Sequence, residues 1–142
     1  MGQFNLNTMQ IFLDQHFPQS DIMGKIVKLG NHYAEMLLAV DESHLRPGGT
    51  ISGPTMMALA DVSMYCAILN EIGPKLHTVT TNLNINFLRK PKANAPILAK
   101  ANVLKIGKTL AMGEVAIYSV NDKNIGDEMV AHATVTYSIP KN

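Results

Sequence analysis

Apolar and polar residues alternate most regularly between Thr78 and Leu88. Val79, Thr81, Leu83, Ile85 and Phe87 fall on one side there, and Thr80, Asn82, Asn84, Asn86 and Leu88 on the other. A period of two is the signature of a strand with one buried face. The same period runs through His32–Val40, with Ala34, Met36, Leu38 and Val40 opposite Tyr33, Glu35, Leu37 and Ala39, and weakly through Lys25–Leu29, the two joined by a Gly30-Asn31 turn or bulge. Ile97–Ile106 and Leu110–Val120 read as a hairpin about Gly107-Lys108. Asn121–Asp127 is a loop rich in turn formers, and Glu128–Ile139 is the last strand, with Met129, Ala131, Ala133, Val135 and Tyr137 on one face.

Two stretches carry the helical period instead. Thr8–Phe17 predicts a short amphipathic helix capped by Thr8, ended by Pro18, and burying Ile11, Phe12 and His16. Pro54 to about Glu71 predicts a long helix that is apolar nearly all round, stopped by Gly73-Pro74. It is preceded by Arg46-Pro47-Gly48-Gly49-Thr50-Ile51-Ser52-Gly53. In that loop Gly53 would supply a backbone conformation closed to other residues, Ser52 or Gly53 the N-cap, and Pro54 the first helical position. The order is a short helix, a strand, a long helix and then strands joined mostly by short turns. It predicts an α+β domain over residues 1–142 with an antiparallel sheet curved around the long helix, and a second subunit closing what the sheet leaves open.

Composition narrows the partners. The 142 residues are 46% hydrophobic and 16% charged, with net charge +1, which gives no general field for nucleic acid or an anionic membrane. Met1–Phe17 lacks a basic segment followed by an apolar run, and no stretch is long and apolar enough to be a good transmembrane candidate, the long helix coming nearest. The single cysteine, Cys66, predicts no internal disulfide and fits a reducing, cytoplasmic setting.

Candidate chemistry is sparse. His16, His32, His44, His77 and His132 are scattered, with no HxxxH pair and no CxxC, so no metal site is expected. Gly48–Gly53 matches neither a P-loop nor GxGxxG, and Thr50–Pro54 is not a GxSxG elbow, which leaves Ser52 as a cap. The helix start nonetheless presents N–H groups and a positive dipole end suited to an anion or a developing oxyanion. Asp61 is the only charge from Pro54 to Leu69, set among Met57, Ala58, Met64 and Tyr65. A carboxylate on an apolar surface is costly unless it is paired or used. It is a hydrogen-bonded residue of a subunit contact, a residue reaching solvent through a gap, or a functional carboxylate facing the Gly53 amide of another copy. Gly53 and Pro54 lie two turns before Asp61, so one copy cannot bring both to one small group.

Gly53–Asp61, with Leu59-Ala60-Asp61 ahead of small residues, resembles the hotdog-fold acyl-CoA thioesterases of the phenylacetyl-CoA and 4-hydroxybenzoyl-CoA thioesterase type. Their P-x-G-x-x-H-G-G loop and following acidic residue place Pro47, Gly49, Gly53 and Asp61 at matching positions. Thr80–Arg89, ending Phe87-Leu88-Arg89, and Ala131–Thr136 are similar to later strands of that family, so the likeness runs from about residue 30 to 139. Two positions depart from the pattern: Ser52-Gly53-Pro54 stands for the usual HGG, and Arg46 stands where some relatives carry glutamine.

The resemblance implies a homodimer or dimer of dimers with sites between subunits. Its substrate would be an acyl-CoA with an aromatic or medium-chain acyl group, with no cofactor beyond the coenzyme A of the substrate. The Gly53 N–H would polarise the thioester carbonyl, and Asp61 would act as nucleophile or general base. Arg89, Lys90, Gly107 and Lys108 would meet the phosphates, and Arg46, Ser52, Pro54, Met57, Tyr65 and Asn82 would complete the substrate contacts, with Met56 and Met64 as further pocket residues. A non-catalytic acyl-CoA-binding protein and a dehydratase are the rival readings, the latter requiring a positioned histidine that no motif supplies.

Overall fold

The computed structural model describes residues 2–92, 94–120 and 125–141. In chain order it holds α1 (Leu6–His16), β1 (Lys25–Gly30), β2 (Tyr33–Leu38), α2 (Gly53–Ile72), β3 (Val79–Phe87), β4 (Ile97–Ile106), β5 (Leu110–Val120) and β6 (Ile125–Ser138), with 3-10 turns at Pro18–Ile22 and Glu42–His44. The six strands form one antiparallel sheet in the order β1-β2-β4-β5-β6-β3. The α+β expectation, a sheet curved about a long helix, is what the chain forms.

The central helix behaves as its composition demands. Every residue from Val62 to Asn70 is buried, and Leu59, Met64, Ile68 and Leu69 lie wholly in a core shared with Met36, Ile97, Val115 and Ile117. At about 1.5–3 kcal/mol for each fully buried large side chain, this seam is the main source of stability. The helix seats closely against β5: a Cβ on Gly113 would fall 2.3 Å from the Asn102 carbonyl and 2.4 Å from Met64 Cε, so only glycine fits there. Asn70, a buried polar side chain near the helix end, is satisfied twice, donating to the Gly30 carbonyl (3.2 Å) and accepting from Phe4 N–H (3.0 Å).

Four expectations need correction. Helix α1 begins earlier, because Asn5 is the N-cap and Thr8 is its reciprocal partner in a capping box. Its buried residues are Met9, Phe12 and Leu13, while Ile11 and His16 are exposed. Lys25–Gly30 is a full strand whose alternation is blurred by a register shift between Ile26 and Lys28. The last strand starts at Ile125, inside the expected loop, of which residues 121–124 lie outside the described residues.

The fourth correction bears on function. β3 carries a bulge between Thr80 and Asn82, so Thr80 pairs with Tyr137, Leu83 with Val135 and Ile85 with Ala133. The bulge puts Thr80 on the same face as Leu83, Ile85 and Phe87, toward the helix, against the plain alternation. It is also an edge strand whose apolar residues are largely uncovered: Val79 and Phe87 are about half exposed.

Candidate active site

The loop before α2 is a closed turn. Leu45 and Ile51 form an isolated bridge, Arg46 N–H donates to the Thr50 carbonyl (2.8 Å), and Gly49 N–H to the Arg46 carbonyl (3.0 Å). Gly48 and Gly49 take φ of +98° and +79°, a region that side chains rarely enter. The buried His44 anchors the turn through its carbonyl, which accepts from Ser52 N–H (2.9 Å). Its ring nitrogens face Asp41 N–H (2.9 Å) and the Ile22 carbonyl (3.3 Å), a structural role.

Ser52 is the N-cap, its Oγ accepting from Thr55 N–H (3.2 Å) and lying 2.8 Å from Thr55 Oγ1. That hydroxyl is committed to the cap. Gly53 is the first helical residue and Pro54 the second, one place later than expected for the proline. Gly53 does not use a left-handed conformation. What distinguishes it is a close approach, since a Cβ there would lie 3.2 Å from Phe87 Cζ. Among the described residues nothing accepts from the Gly53 N–H, so this donor at the positive end of a twenty-residue helix stays open.

Asp61 lies eight residues further along, about 12 Å at ~1.5 Å per residue. Its hydroxyl partners converge on one side of the carboxylate. Thr80 Oγ1 donates to Oδ1 (2.6 Å), and the Tyr137 hydroxyl is shared between Oδ1 (2.6 Å) and the Asp61 carbonyl (2.7 Å). Oδ1 is therefore fixed, and among the described residues Oδ2 has no hydrogen-bond partner. The phenol of Tyr137 is held well above its usual range, first by burial and then by the adjacent carboxylate, so it stays protonated and donating. Burial likewise raises Tyr65.

The carboxylate opens onto a cavity of about 470 Å³. From α2 it is lined by Ala58, Asp61, Val62 and Tyr65, the spacing of one helix face. Thr78, Val79 and Thr80, together with Tyr137, form the sheet side.

A second cavity, of about 390 Å³, is bounded by Gly53, Arg46, Ile51, Met56, Phe87 and Leu88, with Arg89 and Lys90 at its edge. Arg89 is partly taken up by Glu128 at 3.5 Å. The expected site residues thus divide. Asp61 and Tyr65 share one cavity, while Gly53, Arg46, Arg89 and Lys90 share another. Gly107 and Lys108 reach neither and line a separate cavity of about 290 Å³ at the β4–β5 turn. Asn82 is exposed just past the bulge, and Met57 and Pro54 are exposed on α2 away from the Asp61 cavity. Met56 and Met64 are buried in the core, Met56 also bordering the Gly53 cavity. Sequence reasoning missed Thr80 and Tyr137. Their only signal, pairing across the bulged β3–β6 ladder, is not written in local periodicity.

Among the described residues no group of three or more His, Cys, Asp or Glu is arranged to hold a metal, and no helix is long and apolar enough to cross a membrane.

Comparison with known proteins points one way. The family model of the thioesterase superfamily matches residues 48–126. Acyl-coenzyme A thioesterase 13 of Homo sapiens is 30% identical over 97 residues, 66% of this chain and 68% of that one. Among solved structures, a provisionally named thioesterase from Silicibacter sp. TM1040 superposes with TM-score 0.88 at 41% identity, covering 99% of this chain and 94% of that one. A variant of the phenylacetic acid degradation protein PaaI from Thermus thermophilus gives TM-score 0.74 at 25% identity, with 87% and 99% covered.

Proposed function

This chain belongs to the thioesterase superfamily and is a hotdog-fold thioesterase, and we propose that it hydrolyses acyl-CoA thioesters, with Asp61 of one copy and the Gly53 N–H of a second copy forming each site. The observation that carries the reading is the Asp61 carboxylate. Two hydroxyl donors hold Oδ1, leaving Oδ2 free among the described residues on the wall of a cavity of mixed polar and apolar lining. A carboxylate so oriented is arranged for use as a base or nucleophile.

Geometry supports the second copy. One helix separates Gly53 and Asp61 by about 12 Å. The uncovered edge of β3 borders both cavities, Val79 and Thr80 at the Asp61 end and Phe87 at the Gly53 end. Antiparallel pairing of two β3 edges about Leu83 sets Val79 of one copy beside Phe87 of the other. The Asp61 cavity then meets the partner's helix start, and the exposed apolar edge is covered. On this reading the homodimer is the smallest complete unit.

In that unit the thioester carbonyl oxygen points at the Gly53 N–H, which stabilises the oxyanion as it develops. Asp61 Oδ2 takes a proton from water as the water oxygen bonds to the acyl carbon, or attacks that carbon itself to give an anhydride that water then opens. The C–S bond breaks, and the coenzyme A thiolate leaves and is protonated. Arg46, Lys90 and the free face of Arg89 border the Gly53 cavity and serve the phosphates. Coenzyme A enters as part of the substrate.

The test is free-thiol release from a panel of acyl-CoAs by the wild-type chain and Asp61→Asn. The amide is isosteric and its carbonyl keeps both hydroxyl partners, so the fold persists while kcat falls by roughly 10²–10⁴-fold. Equal rates in the two proteins would overturn the assignment.

A further inference from the structure

The far end of the Asp61 cavity is built by a part of the chain that precedes the matched family region at residues 48–126. Phe17 and Met23 line the cavity from the segment after α1, together with the exposed His16, and Leu76 and Val79 line it as well. Phe17 packs edge-on against Tyr65, with centroids 6.0 Å apart at 87°, and Tyr65 in turn meets Tyr137 at 6.1 Å. The cavity therefore grades from polar at Asp61, Thr80 and Tyr137 to apolar at Phe17, Met23 and Leu76.

This wall is firmly attached. Met9 and Leu13 of α1 are wholly buried, and Phe4 meets Phe12 in an edge-to-face pair at 5.5 Å. The chain ahead of α1 is tied to the core helix by Gln3 N–H to the Asn70 carbonyl (2.7 Å). Phe17 and Met23 themselves remain only half-buried. The volume, about 470 Å³, is roughly three times the ~150 Å³ that admits one benzene, so an acyl group fits with room set by what the wall leaves.

We infer that the segment from Leu6 to Met23 is the specificity element of this enzyme, and that Phe17 and Met23 set the length of acyl chain it accepts. The inference rests on the acyl-CoA reading and names which residues choose among acyl-CoAs. With the carbonyl at Asp61, the ω end of a straight chain runs toward Phe17 and Met23. Each methylene newly housed against that wall raises kcat/KM about fourfold, and each one refused lowers it as much.

The experiment compares wild type, Phe17→Ala, Met23→Ala and Met23→Phe over a series of saturated acyl-CoAs of increasing even chain length. Thiol release is read for kcat/KM. Binding of the same series is read calorimetrically on the corresponding proteins carrying Asp61→Asn, and thermal melts show which variants are folded. The alanine variants are expected to move the optimum to chains two to four carbons longer, with about a tenfold or greater gain on a chain two carbons past the wild-type optimum. Met23→Phe, which adds bulk, moves it the other way. An unchanged optimum in all folded variants, or a loss equal at every chain length, overturns the inference. If wild type releases no thiol but the binding optimum shifts as stated, the length-setting wall stands and the hydrolase reading falls.

Discussion

Tyr137→Phe isolates the part of the site that least resembles ordinary packing. The substitution deletes one oxygen and leaves the ring against Tyr65. Lost with it are the 2.6 Å bond to Asp61 Oδ1 and the 2.7 Å bond to the Asp61 carbonyl. A hydrogen bond to a charged group contributes about 1.5–3 kcal/mol and one to a carbonyl about 1. They share one proton, and the carboxylate borders an open cavity where water replaces part of the loss, so the net destabilisation is about 1–2 kcal/mol, a fall in Tm of roughly 3–10 °C. The larger effect is on rate. Thr80 alone then holds Oδ1, the carboxylate gains freedom, and misplacement by an ångström costs on the order of a hundredfold. A drop in kcat of about tenfold is expected for Tyr137→Phe and for Thr80→Ala, with KM little changed, and more than a hundredfold for the pair. The deciding measurement is the same Tyr137→Phe change made on Asp61→Asn. If the tyrosine works by orienting the carboxylate, it lowers kcat there by less than twofold. The same factor in both backgrounds would refute the reasoning and assign Tyr137 to the fold alone.

Two further outcomes follow from the geometry. Gly53→Pro removes the open N–H at a helix position that tolerates proline and should cost 10²–10³ in kcat, whereas Gly53→Ala keeps the N–H, displaces only the half-exposed tip of Phe87, and should retain most activity in the thiol-release assay. Alkali should destabilise the fold: burial pushes the Cys66 thiol from 9.0 up to about 12 and holds the Tyr137 phenol above its usual 10, so both folded groups keep protons that the unfolded chain releases. Their contribution is whole below pH 9 and shrinks as pH rises, Cys66 alone accounting for about 4 kcal/mol between pH 9 and 12, and Cys66→Ala should flatten that decline when urea midpoints are followed against pH.

Much of this fold is legible in the order of residues because its strands and helices obey their own periods. Two strands that their periods misplace share a cause. β1 and β3 each contain a register shift, and one extra residue inverts the inside–outside sense of everything beyond it. In β3 this matters doubly. The alternation from Val79 to Phe87 is regular to the eye, yet the bulge at Thr81 splits it and delivers Thr80 to the Asp61 side. At α1 the misreading was chemical: a threonine three places after an asparagine is as much a capping-box partner as a cap, and the reciprocal pair Asn5–Thr8 is what forms.

The site divides along the same line. Asp61 stands out because a lone carboxylate on an apolar helix is expensive, and Gly53 because it adjoins a proline at a helix start; both are local facts. Thr80 and Tyr137, which decide how that carboxylate is held, lie nineteen and seventy-six residues from it in the chain, so only the completed β3–β6 ladder brings them together. In the proposed dimer, β3 is also a strand whose pattern is completed by a second copy. A strand that alternates so regularly but leaves Val79 and Phe87 about half exposed at the sheet edge has apolar residues beyond what its own protomer covers. Those uncovered residues sit at the mouths of the two cavities that a single chain cannot merge. The edge pairing proposed above would cover the one and join the other, with the same few residues. Leu88 N–H donates to the Val130 carbonyl, so along the β3–β6 register the N–H of Leu83 faces the open edge. Leu83→Pro, which spares the ladder and lines neither cavity, should therefore abolish turnover together with the proposed dimer, read by thiol release and sedimentation on protein shown by its melt to be folded.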